Sequence, residues 1–127
     1  MFSTGRDVTT AQYLVTVPAP METTLGGTGD VVALQRPKAL SKLLEETDRV
    51  IVTEWRLAPG AETGWHRHDH DYVVVCLTAG KLLAETSTGN VETQLQFGQS
   101  YTRPLGVEHN IVNPGVEEFA FVEVELK

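Results

Sequence analysis

The chain has 127 residues, 41% hydrophobic and 21% charged, enough for one globular domain that buries roughly two thirds of its unfolded surface. Ten Lys and Arg against 17 Asp and Glu leave a formal net charge of -7, which repels phosphate backbones and anionic headgroups and argues against nucleic acid and membrane partners. A single cysteine, Cys76, excludes an internal disulfide and a Cys-pair zinc ribbon, so stability must come from packing, self-association or a metal held by other ligands.

Residues 1–30 are rich in Ser, Thr and Gly and end in Gly26-Gly27-Thr28-Gly29, which reads as an extended arm and loop ahead of one domain over residues 31–127. No basic segment precedes a clean apolar core there, and the longest apolar run, Val73 to Leu77, is far below the roughly 20 residues that span a bilayer, so a cytoplasmic protein is expected. A phosphate cradle in the Gly-rich loop would need a helix N-terminus after it, whereas Asp30 to Leu34 reads as the start of a strand. Between Pro37 and Asp48, Ala39, Leu40, Leu43 and Leu44 recur at helical spacing, which predicts one short amphipathic helix packed on a sheet.

From Val50 onward the texture changes to short β-branched and aromatic runs. They cover Val50 to Leu57, Tyr72 to Leu77, Lys81 to Ser87, Val91 to Phe97, Gln99 to Arg103, Val107 to Val112 and Phe119 to Leu126. Pro59-Gly60, Ala79-Gly80, Gly89-Asn90, Phe97-Gly98 and Asn113-Pro114-Gly115 supply the turns. Short strands at near-regular spacing predict an all-β sandwich or barrel, and no helix-sized segment leaves room for βαβ units.

All four histidines fall in two places: His66, His68 and His70 within Trp65-His66-Arg67-His68-Asp69-His70, and His109 in Glu108-His109-Asn110. On an extended segment alternate residues share a face, so His66 and His68 can point together, and a third imidazole from another strand completes a facial set for a divalent metal. The spacing alone leaves a second reading open, a solvated His-rich loop with His109 an unrelated core residue.

Gly60, five residues, His66-x-His68 and then Gly80 resemble the first signature of the cupin superfamily. Gly98, five residues, Pro104-x-Gly106, two residues, His109, three residues and Asn113 match its second signature at every fixed position. The resemblance implies a double-stranded β-helix, a small jelly-roll barrel, with one divalent ion held by His66, His68 and His109; iron is preferred, with Ni, Mn or Zn as other candidates. It also implies a glutamate separated from the second histidine by three or four intervening residues, but Tyr72 and Val73 stand there. Tyr72 shares strand parity with His68, so its phenol is a candidate weak ligand or hydrogen-bond donor, or a packed barrel residue. Asp69 or Asp71 could replace the carboxylate only through a bulge. His70 has the parity of a fourth ligand, with an exposed imidazole as the alternative. Asn113, before Pro114, is expected to close its turn.

Arg56 and Arg103 are pocket candidates, because a guanidinium pointing into the barrel would favour a small carboxylic acid. Arg67 should face away from the histidines, and Cys76 fits a small buried hydrophobe that could also face the cavity. The resemblance thus implies a metalloenzyme of dioxygenase type acting on a small organic acid or amine-derived metabolite. The alternative is a non-catalytic cupin that binds a metal or small ligand. The stretch from Glu54 to Tyr72 and the closing Glu118 to Glu123 are loosely similar to cupins linked to beta-alanine degradation. A homodimer is expected, with residues 8–20 as a strand to lend to a neighbour.

Overall fold

The computed structural model describes residues 35–127, so the expected arm, its boundary near residue 30 and the strand start at Asp30 to Leu34 lie outside the described residues. Nine strands follow: β1 Leu40–Glu46, β2 Val50–Leu57, β3 His66–Arg67, β4 Asp71–Cys76, β5 Gly80–Thr86, β6 Gly89–Leu95, β7 Ser100–Arg103, β8 Glu108–Val112 and β9 Phe119–Leu126. They form a five-stranded sheet in the order β1-β2-β9-β4-β7 and a four-stranded sheet in the order β3-β8-β5-β6, with every strand pair antiparallel. Neighbours in sequence often sit in opposite sheets, as in the double-stranded β-helix that the signatures imply. No helix among the described residues is long and apolar enough to cross a membrane.

The helix expected between Pro37 and Asp48 is a strand. β1 pairs along the edge of β2, with a register shift between Leu43 and Glu45 that leaves Leu44 as an extra residue. Lys42 is buried and Leu44 half-buried while Leu43 between them is exposed, the reverse of the single apolar stripe that a helix through these leucines would need. An isolated helix of this length is marginal in water, whereas the open edge of β2 offers a row of backbone partners.

The core lies between the sheets, where Leu57, Tyr72, Val74, Cys76, Leu82, Leu95, Phe119 and Phe121 pack together. Tyr72, Val74 and Cys76 alternate on β4 with Val73 and Val75, and cross-strand pairing aligns them with Glu125, Glu123 and Phe121 of β9. One face of each strand therefore lines the barrel. Gly80, at φ +152, leaves room for the Phe119 ring: a Cβ there would stand 3.1 Å from Phe119 Cδ2.

Asn113 closes the turn after β8, as expected. Its Nδ2 donates to Leu57 O at 2.9 Å and Glu117 O at 2.8 Å, and its Oδ1 accepts from Gly115 N.

Candidate metal centre

His66 on β3 lies directly opposite His109 on β8, so the antiparallel register places both imidazoles on one face. His68, two residues beyond His66, is tied to the loop before β8 from both sides. Its N–H donates to Val107 O at 2.9 Å and its carbonyl accepts from Gly106 N at 2.8 Å. Gly106 adopts φ +97, a conformation that side-chain-bearing residues rarely take, and this turn delivers His109 to the barrel mouth. Asn110 steadies the loop that carries His66: its Oδ1 accepts from Gly64 N at 2.8 Å, and its Nδ2 donates to Glu62 and Glu85. Arg36 joins those two carboxylates.

The three Nε2 atoms converge. His66 Nε2 and His68 Nε2 are 3.1 Å apart, and His68 Nε2 and His109 Nε2 are 3.3 Å apart. Two nitrogens held about 2.1 Å from one ion lie about 3.0 Å apart at a right angle and about 3.4 Å apart at a tetrahedral angle, so the spacing fits a shared cation. The protons agree. His66 Nδ1 is 2.8 Å from Gly64 O, and because a carbonyl only accepts, Nδ1 carries a hydrogen, which leaves Nε2 as the ring's metal-binding nitrogen. Burial, reinforced by His66 and the neighbouring imidazole or guanidinium, holds His68 and His109 down to about 4, so both are neutral at pH 7. In the tautomers that leave the Nε2 atoms bare, the converging lone pairs repel one another unless a cation sits between them.

Tyr72 is brought to the centre, its buried ring stacked on His68 at 3.8 Å and 18° between planes. Burial, with Glu123 nearby, pushes its hydroxyl well above the usual phenol range. Arg103 sits opposite Tyr72 on β7, over the Tyr101 ring at 4.5 Å, and shares with Tyr72, Tyr101 and His109 a cavity of about 240 Å³. Arg56 lies on the other face of its sheet, paired with Glu54 at 2.7 Å and Glu118 at 3.3 Å. His70 stands on the bend before β4, outside the histidine cluster. Asp69 is exposed, and Asp71 accepts from Leu105 N at 2.9 Å. Arg67 is exposed opposite Glu108, and Cys76 is a fully buried core thiol whose pKa burial raises.

Two residues that sequence reasoning passed over reach the centre from β9. Glu123 Oε2 lies 3.9 Å from His68 Nε2, and Glu125 Oε2 lies 3.7 Å from His68 Nδ1. Burial and then the Glu125 charge push the Glu123 carboxyl up to about 7, partly offset by Trp55. The signal was present in Phe119-x-Phe121-x-Glu123-x-Glu125, where two aromatics mark the inward parity that the glutamates share.

The model of the family described as Cupin domain matches residues 53–125. Beta-alanine degradation protein BauB of Pseudomonas aeruginosa is 55% identical over 92 residues, which is 72% of this chain and 97% of that protein. Among solved structures, a cupin domain from Bordetella pertussis Tohama I is 57% identical with a TM-score of 0.73, covering 75% of this chain and 99% of that one. A protein with a double-stranded β-helix domain from Klebsiella pneumoniae has a TM-score of 0.61 at 24% identity, covering 83% of this chain and 90% of that one, a likeness of fold.

Proposed function

The chain belongs to the cupin family, and from that premise we propose that it is a metalloenzyme of dioxygenase type acting on a small organic acid or amine-derived metabolite. The observation that carries this reading is the convergence of three imidazole nitrogens from His66, His68 and His109 at the barrel mouth. Bound Fe(II), the preferred ion, would supply Lewis-acid and one-electron chemistry there, with coordination positions left for exchangeable ligands.

The chain's own residues suit a small acid. Arg103 offers a guanidinium fork to a carboxylate on the wall that His109 shares, and the Tyr72 phenol remains a donor at neutral pH. Leu82, Leu95 and Val107 line the same cavity and limit water around the ligand. The name of the Pseudomonas relative supports a catabolic role on a small acid or amine.

Elemental analysis of the untagged protein beside a His66→Ala/His109→Ala variant tests the centre. Near-stoichiometric first-row metal in the parent and its loss in the variant are expected, followed by oxygen uptake by the iron-loaded parent with a panel of small acids, amines and thiols. A parent that takes up no Fe(II), Mn(II), Ni(II) or Zn(II) overturns the metal reading. A metal-loaded parent that consumes no oxygen across the panel overturns the dioxygenase assignment and leaves the non-catalytic binding module. The two carboxylates beside His68 give that second reading its physical basis, since they can close the coordination sphere.

A further inference from the structure

Glu123 and Glu125 occupy alternate positions on β9 and both face the barrel, with side chains 13% and 23% exposed. Among the described residues neither is ion-paired with a Lys or Arg; the basic side chain they share is His68. With Trp55 and Phe121 they wall a cavity of about 230 Å³ that His66 and His68 bound on its other side. The Trp55 Nε1 in that wall is buried and has no aligned hydrogen-bond partner among the described residues. Two half-buried carboxyl groups with no Lys or Arg partner, beside a buried indole N–H that lacks an aligned acceptor, are costly unless a ligand completes them.

We propose that Glu123 is a fourth protein ligand of the ion held by His66, His68 and His109, and that Glu125 fixes the His68 tautomer by accepting from Nδ1–H. The inference rests on the metal reading above. A carboxylate oxygen and an imidazole nitrogen at right angles on one ion, each about 2.1 Å from it, lie about 3.0 Å apart. Glu123 Oε2 is 3.9 Å from His68 Nε2 and lies outside the 4.8 Å group that the three histidines form, so a change of side-chain rotamer, rather than a small torsion adjustment, must carry it to the shared ion. Trp55 Nε1–H then has an acceptor in the second carboxylate oxygen, which orients the ligand from behind. Glu125 stands 3.7 Å from His68 Nδ1, on the side away from the cluster, where a histidine ligand places its outer acceptor. The carboxylate also offsets part of the dication's charge, which imidazole ligands leave untouched. Four protein ligands on a six-coordinate ion keep two positions for exchange, so the arrangement is compatible with turnover.

The test uses the full chain, stripped and reloaded with Co(II), and reads affinity by chelator competition and geometry by the ligand-field absorption spectrum. Glu123→Gln is expected to weaken Co(II) binding at least about tenfold and to change the spectrum. Glu125→Gln is expected to weaken binding while keeping the spectral shape. Equal affinity and an identical spectrum for parent and Glu123→Gln overturn the proposal while the metal reading stands. Failure of the parent itself to bind Co(II), or binding that survives His66→Ala/His109→Ala, overturns the underlying centre instead. Should Glu123→Gln fail to fold, Glu123→Asp keeps the charge and draws the oxygen back, and a spectrum unaltered by that change equally overturns the assignment.

Discussion

At the scale of single residues, the centre brings together groups that burial drives in opposite directions. His68 and His109 are held from 6.5 down to about 4, while Glu123 is pushed from 4.5 up to about 7. For a histidine with a lowered folded value, the unfolded chain binds more protons between the two values; stability is complete above 6.5 and falls as pH drops towards 4. For Glu123 the folded chain binds the extra proton, so its contribution is complete below 4.5 and is lost as pH rises through about 7. Two histidines oppose one glutamate where the ranges overlap. The urea midpoint of metal-free protein is therefore expected to rise between pH 4 and 6.5, more steeply in Glu123→Gln and less steeply in His109→Gln. A midpoint that falls over this range in the parent would refute the assignment of buried neutral imidazoles.

At the scale of elements, the strands were legible where one face is buried and the other is not. Residues 50–57 and 119–126 were expected as strands with the bounds observed, and β4 through β8 differ from expectation by one or two residues at their ends. Segment 37–48 misled because a bulge at Leu44 breaks the period of two, and doubled leucines at its centre imitate a helical stripe. β3 was not expected as a strand, since two residues carry no periodicity; its pairing with β8 is what makes His66 and His109 neighbours. Between the sheets, Gly80 lies against the Phe119 ring, which is 1% exposed. Phe119→Ala is expected to destabilise by about 3–5 kcal/mol, whereas Leu43→Lys, on the exposed side of β1, should change stability by less than about 0.5 kcal/mol. Denaturant titration of both variants checks this, and equal losses would contradict the assignment of the buried face.

At the scale of the molecule, the outer face of the five-stranded sheet carries Val52, Val73, Val75, Val122 and Val124, with the parity opposite to the barrel lining and each half-buried. A row of valines on an outer face supports self-association, and we propose a homodimer. Light scattering should give twice the 13.9 kDa of one chain, and Val73→Lys/Val122→Glu should reduce it to the monomer mass. A parent of monomer mass at micromolar concentration removes the proposal. The contribution expected from residues 8–20 falls outside the described residues.

The sequence by itself determined the all-β class, the cupin resemblance and the three histidines, because strand alternation and fixed spacings are local properties that a linear reading preserves. It also showed that the acidic position after the second histidine is filled by Tyr72. Only the tertiary structure showed that Arg103, exposed on β7, lines the cavity that His109 shares while Arg56 faces outward beside Glu118, and that β9 brings Glu123 and Glu125 to His68. Those two carboxylates lie more than 50 residues along the chain from the imidazole they meet. Cross-strand register, set by which face of each sheet is buried, turns that separation into contact, and no periodicity within one segment encodes which strand will lie beside it.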